Sequence, residues 1–408
     1  MSKYDFDDYD DDLADKIEER RSSRKKKKKR MSSTTKWAIA LIIELIIIVC
    51  LGYGIMRAYL HEKYQKFEHV KDMAVEELEI NEGANEEMQG YTTIALFGID
   101  ARDNSLGKGN RSDAIIIASI NNDTKEIRLL SVYRDTLMQV TKADGSTVTT
   151  KVNGAYAYGG PELALQTLNQ NLDLNMSEYV TVNWEGLTGA IDALGGVTVH
   201  VEENELDTLN GVLAEQIMVN GINSDGVYET GYVTLNGAQA TAYSRIRSTD
   251  QGDITRTERQ REVIQAMIVK AKQSDLSTLN KIIDEVFPYI GTSITEDQMY
   301  DLAKGVMSYE LTDSCGFPLQ WEFYSTQAKG SCIAPVDLNE NVKTMQQFLF
   351  GTESYTPTAQ VQNISAQLTA ETGYASTGAV PLPETAPADD GAGEGAGDST
   401  GDGTGEGE

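Results

Sequence analysis

Histidine is nearly missing from this 408-residue chain: only His61, His69 and His200 occur, and none lies near the polar motifs described below. Catalysis built on a histidine-activated serine or cysteine does not suit that inventory. Cysteine is as scarce, with Cys50, Cys315 and Cys332 alone, and none stands in a nucleophile context. The glycine-rich phosphate loop of P-loop proteins is absent. Positive charge is in deficit, 35 lysines and arginines against 63 aspartates and glutamates, for a net charge of −28. The main basic block, residues 20–30, flanks an apolar run, so a nucleic-acid partner is not indicated. Residues 352–408 carry ten acidic residues and no lysine or arginine.

What the chain does have is organised around that apolar run. Residues 37–56 are almost all apolar, long enough to cross a bilayer. Five lysines and an arginine at 25–30 precede it and mark the cytoplasmic side. A cleaved signal peptide is the alternative, but no small-x-small cleavage site follows. The expected organisation is a cytoplasmic charged segment at 1–36, a transmembrane helix at 37–57, an extracellular stalk at 58–90, a catalytic domain at 91–351 and a disordered acidic tail at 352–408. The protein is expected in the cell membrane as a single-pass chain, its N-terminus cytoplasmic and its domain outside. Cys315 and Cys332 would then be exported and are expected to form one disulfide, with two buried thiols as the alternative.

From residue 91 strand-like and helical patterns alternate, which predicts an α/β fold: a mixed central β-sheet flanked by helices in three layers, α/β/α. Residues 178–182 and 197–201 read as strands. Residues 184–194 read as a helix stopped by Gly195 and Gly196. Pro161 reads as a helix start.

Two regions concentrate polar residues. Residues 243–261 hold Arg245, Arg247, Arg256, Arg259 and Arg261. In an extended segment Arg245 and Arg247 lie on one side, and on a helix Arg256 and Gln260 share a face. Guanidinium forks match phosphate oxygens, so the segment reads as a polyanion clamp or, more blandly, as a solvated basic face. Upstream, three apolar runs end on charge: Asp100 after the first, Arg111 and Asp113 before the second, and Arg134, Asp135 and Thr136 after the third. Sites gather at such strand ends in layered α/β folds. Asp100 and Asp113 together suit a hard divalent cation, which prefers oxygen ligands. Arginine, aspartate and a divalent cation suit phosphoryl transfer, which is mostly positioning and charge neutralisation.

With these motifs in order, the chain resembles the LytR-CpsA-Psr family of cell-wall glycopolymer phosphotransferases. The matching segments are Gly98-Ile99-Asp100, Arg111-Ser112-Asp113, Tyr133 to Thr136 with Lys151 and Asn153, and Tyr243 to Arg247 running on through Gln260. Two positions depart from the pattern: Tyr133 stands where a proline is usual, and Gly154 where a histidine is common.

The resemblance implies transfer of a glycopolymer from a polyprenyl-pyrophosphate carrier to a sugar hydroxyl of peptidoglycan, the polymer being a wall teichoic acid, a capsule or similar. It implies Mg2+ (or Mn2+) held by Asp100 and Asp113. Arg134, Arg245 and Arg247 would grip the pyrophosphate. Arg111, Lys151, Arg256 and Gln260 would complete the substrate shell, and Asp135 or Asp253 would accept the acceptor's proton. The prenyl chain would need an apolar tunnel between sheet and helices. A phosphohydrolase acting on the same lipid, or a non-catalytic wall-polymer binder or regulator, remains as the alternative.

Overall fold

The computed structural model describes residues 57–69, 88–101, 105–247, 253–305, 307–375 and 378–383. The chain divides into two units, Met1–Tyr59 and Leu60–Glu408. No helix among the described residues is long and apolar enough to cross a membrane; the 1–36 segment, the apolar run up to residue 56, most of the stalk (70–87) and the 384–408 end of the tail lie outside the described residues.

The centre is a seven-stranded mixed sheet in the order β1 (Glu68–His69), β10 (Ile290–Thr292), β7 (Glu178–Asn183), β2 (Tyr91–Ile99), β3 (Ser112–Asn121), β4 (Glu126–Val132) and β11 (Glu310–Phe317). Its middle is the antiparallel pair β2 and β3, extended by antiparallel β4. Parallel β7 flanks β2, and parallel β11 flanks β4. These strands are near-continuous apolar runs because both faces are covered. On one face Ala95, Phe97, Ile99, Ile115, Ile117, Leu130 and Val132 form the main core. They pack with α1 (Asn153–Leu172), α8 (Leu338–Phe350) and α9 (Ala359–Thr372). On the other face Ile116, Ala118 and Leu129 meet Ile264 of α5 (Asp253–Gln273). Beside them Ile94 and Ile120 meet Met299 and Leu302 of α7 (Glu296–Gly305). Helices thus flank a mixed sheet, as the pattern predicts.

A second core lies around the hairpin of β8 (Val197–Val201) and β9 (Gly231–Leu235). It packs on α2 (Trp184–Ala193), α3 (Leu206–Asn220), α4 (Gly237–Tyr243) and Val263 of α5. The stop after α2 is as predicted, with Gly195 and Gly196 at φ 77° and 93°, values that favour glycine. Asn236 caps α4 through a capping box with Gln239.

Several expectations are corrected. Pro161 does open a helical segment, as predicted, but another precedes it: α1 starts at Asn153 and is broken at Gly160 (φ 77°). The stalk does not run free through residues 60–69. Glu68–His69 pairs with β10 (Ile290–Thr292) at the sheet edge, Phe67 stacks on Phe287 at 4.0 Å, and Lys63, 5 % exposed, binds Asp284 at 2.5 Å. The tail does not begin at 352 as a disordered segment: α9 buries Val361, Ile364 and Leu368 in the main core. Those three recur at helical spacing within a Ser/Thr/Gln-rich stretch, so composition concealed a helix that periodicity contains. Cys315 and Cys332 are both free and buried rather than bridged. Cys315 lies in the central sheet opposite Leu130, whereas Cys332 lies in the separate hairpin of β12 (Trp321–Thr326) and β13 (Gly330–Pro335).

Candidate active site

The site is built where β2, β3 and β4 end. Pairing of β2 with β3 slips between Gly98 and Ile99: Gly98 faces Ala114 while Ile99 faces Ser112. Asp113 is the extra residue, and such bulges re-aim a side chain out of the ladder. Gly98 fits closely here, since a Cβ on it would stand 3.0 Å from that of Ala114.

The turn after β4 supplies the partner. Thr136 N donates to Tyr133 O at 2.9 Å, Asn153 N to Arg134 O at 3.1 Å and Val152 N to Thr136 O at 2.8 Å. Held by these bonds, Arg134 donates from Nη1 to Asp113 Oδ1 at 2.7 Å. Its Nε lies 4.0 Å from Asp135 Oδ1. The hairpin of β5 (Leu137–Thr141) and β6 (Thr147–Lys151) ends on Lys151, whose Nζ sits 3.2 Å from the same Asp135 oxygen. From α5, Arg256 reaches the backbone oxygen of Asp113 at 3.4 Å and is only 2 % exposed. Asp113, Arg134, Asp135, Lys151 and Arg256 therefore form one connected set, although they come from three elements, β3, β6 and α5, and the turn after β4.

The five arginines of residues 243–261 do not act as one block. The 243–247 stretch is not a strand: Tyr243 closes α4, and Arg245 and Ile246 follow in a turn, their N–H groups donating to Ala242 O and Tyr243 O. Its burial alternates all the same, with Ile246 fully buried, Arg245 half-buried and Arg247 exposed. Arg245 lies 5.7 Å from the centre of the Trp184 ring and donates to the Gln216 side chain at 3.1 Å once that amide is oriented to accept. Arg259 forms a buried pair with Glu205 through Nε (2.6 Å) and Nη2 (2.5 Å). Glu262 accepts from Tyr243 Oη at 2.6 Å and from His200 N at 2.6 Å. Burial, with Glu262 beside it, raises the Tyr243 phenol well above its ordinary value. Arg259 is thus structural, and Trp184, Gln216, Glu205 and Glu262 are supports that no local motif announces.

Asp100 and Arg111 are exposed at the ends of β2 and β3. Gln260 is buried on α5. Asp253 opens that helix. Among the described residues no group of three or more histidine, cysteine or acidic side chains gathers as a metal cage. Two carboxylates at neighbouring strand ends, Asp113 with one oxygen already engaged by Arg134, still fit a magnesium ion of the kind completed by waters and substrate phosphates.

Tyr133, next to Arg134, packs with Ile254, Ile333 and Trp321. Burial pushes its phenol up to about 12, against the pull of Arg261.

The strand ends of a helix-flanked mixed sheet thus gather guanidinium, ammonium and carboxylate groups in one connected set. The chain belongs to the LytR_cpsA_psr family, whose model matches residues 53–327. The polyisoprenyl-teichoic acid–peptidoglycan teichoic acid transferase TagU of Halalkalibacterium halodurans is 30% identical over 292 residues, 67% of this chain and 87% of that protein. TagU of Oceanobacillus iheyensis is 34% identical over 217 residues, 51% of this chain and 61% of that one. Among solved structures, a Streptococcus agalactiae protein is similar at TM-score 0.55 and 28% identity, covering 69% of this chain and 94% of that one. A transcriptional regulator from Enterococcus faecalis is similar at TM-score 0.53 and 26% identity, covering 72% and 98%.

Proposed function

We propose that this protein moves a glycopolymer, of the wall teichoic acid, capsule or similar class, from a polyprenyl-pyrophosphate carrier to a peptidoglycan sugar hydroxyl. The observation that carries the reading is the Asp113–Arg134 bond, with Arg256 on the same aspartate's backbone, in a chain whose relatives are named teichoic acid transferases.

In this reading Arg134, Arg245, Arg247 and Arg256 hold the pyrophosphate oxygens, with Arg111, Lys151 and Gln260 around them. Fixed guanidinium forks stabilise charge that spreads over the equatorial oxygens in the transition state. Asp100 and Asp113 would hold magnesium, which would supply further charge neutralisation at those oxygens. The acceptor hydroxyl oxygen bonds to the phosphorus that carries the glycan. The bond from that phosphorus to the bridging oxygen breaks, and prenyl phosphate leaves. The hydroxyl proton passes to Asp135 or Asp253. Support for Asp135 comes from its membership of the connected set, between Lys151 and Arg134. The prenyl chain would lie between the sheet face of Leu96 and Ile116 and the α5 residue Ile264. The apolar run at 37–57 would anchor the chain in the membrane with the domain outside.

The test incubates full-length protein with labelled lipid-linked teichoic acid and stripped peptidoglycan. Label fixed to peptidoglycan supports transfer. Label released only as free phosphorylated glycan would make the protein a phosphohydrolase instead.

A further inference from the structure

The β12–β13 hairpin has no part in the phosphate chemistry, yet it is bonded directly to the site. Ile333 N donates to Asp135 O at 3.0 Å, and Ile333 forms a parallel bridge with Thr136. Within the hairpin Phe323 stands directly opposite Ile333 and Trp321 opposite Pro335. Phe323 is therefore one strand spacing, about 4.8 Å, from the residue that grips Asp135.

Trp321 and Phe323 are two apart and share a face, since side chains alternate along a strand. Their rings meet edge to face at 5.0 Å and 69°. Trp321 is half-buried against Tyr133, Ile254 and Ile333, which ties it to the turn carrying Arg134. Phe323 is 58 % exposed. The opposite face of the hairpin, Tyr324, Cys332 and Ala334, is taken up by the main core. The backbone is pinned as well, because Tyr374 Oη donates to Phe323 O at 3.1 Å. An exposed phenylalanine on a rigid hairpin, continued by tryptophan to the edge of a catalytic site, is not accounted for by packing.

We propose that Trp321 and Phe323 form a stacking platform for a saccharide ring of the acceptor glycan. A pyranose has an apolar face of C–H groups, which suits the negative face of an aromatic ring, while its hydroxyls stay directed to water and toward the Asp135 side. An uncharged, amphipathic ring fits this surface better than the pyrophosphate, which the arginines take. The proposal rests on the transferase reading and deepens it: the donor's phosphates occupy the strand ends, and the acceptor's sugar occupies the hairpin beside them.

The test titrates full-length protein in detergent with a peptidoglycan tetrasaccharide of alternating N-acetylglucosamine and N-acetylmuramic acid, read by calorimetry. Phe323→Ala is expected to weaken binding about tenfold and Phe323→Tyr by no more than about threefold, where tenfold corresponds to ~1.4 kcal/mol. Trp321 is avoided as the primary variant because it packs on Tyr133. Equal affinity of Phe323→Ala and the unaltered chain, or no binding of the tetrasaccharide by the unaltered chain, overturns the platform. So does a loss of self-association in Phe323→Ala with glycan affinity intact, which would assign the face to a second copy. The transferase reading is separable. Phe323-dependent binding without transfer by the unaltered chain supports the platform and sinks the transferase. Transfer with an acceptor KM that Phe323→Ala leaves unchanged does the reverse.

Discussion

The hydroxyl of Tyr133 occupies the space where a side chain on Gly316 would begin: a Cβ built on Gly316 would lie 2.1 Å from it. The two residues are a fitted pair, glycine on β11 making room for the ring that replaces the family's usual proline. Gly316→Ala should force the ring and the Arg134 turn apart, an overpacking cost of about 1–3 kcal/mol. Tm should fall and transfer should drop with it. The ring carbons Cζ and Cε1 of Tyr133 would also lie 2.5 and 2.9 Å from that Cβ, so Tyr133→Phe would not relieve the clash, whereas in a Tyr133→Ala background Gly316→Ala should cost much less Tm. Additive losses in a double-mutant cycle would show that the two do not interact.

Breaking the buried Arg259–Glu205 pair tests the division among the arginines. Both side chains are nearly inaccessible, at 6 % and 4 % exposed. Arg259→Ala leaves a buried carboxylate uncompensated, a loss of roughly 3–5 kcal/mol. Thermal melting should show a marked fall, while turnover per folded molecule stays near normal. Lost turnover at an unchanged Tm would place Arg259 in the site instead.

Much of this was legible in the chain. The strand ends at Asp100, Asp113 and Arg134, the Gly195–Gly196 stop and the apolar strands follow from local pattern. The division of the arginines was not, because it depends on Glu205, Gln216 and Trp184, which are distant in sequence. The Tyr243–Arg247 stretch alternates like a strand because Ile246 is buried between two outward arginines, yet it is a turn after a short helix. The join of Glu68–His69 to the sheet depends on β10, more than two hundred residues later. The cysteines mislead because export permits a disulfide without bringing two strands of different sheets into line.

The thiols can be counted directly. Full-length protein unfolded without reductant should expose Cys315 and Cys332 as free thiols to alkylation. In the folded state Cys315 should resist the reagent at neutral pH, because it is buried and burial pushes its thiol up to about 12, leaving almost no thiolate. Raising the pH should speed the reaction. Recovery of a peptide pair linked through Cys315 and Cys332 would contradict the free-thiol structure.

Arg245 and Arg247 should separate in stability and agree in function. Arg245→Ala loses the Trp184 and Gln216 contacts, so its Tm should fall slightly, whereas Arg247→Ala, exposed, should melt normally. Each should lose about tenfold or more in transfer, since a hydrogen bond to a charged group is worth roughly 1.5–3 kcal/mol. Normal turnover in both would return this stretch to a solvated basic face.

The most direct test is the rate of label transfer from lipid-linked teichoic acid to peptidoglycan by full-length protein carrying Arg134→Ala, with Arg134→Lys beside it and melting recorded on the same samples. Removing Arg134 takes away the fork that meets Asp113 at 2.7 Å. The expected result is a loss of about tenfold or more, poorly restored by lysine, which keeps the charge and lacks the fork. Transfer at the unaltered rate by Arg134→Ala would contradict a phosphoryl-transfer site at these strand ends.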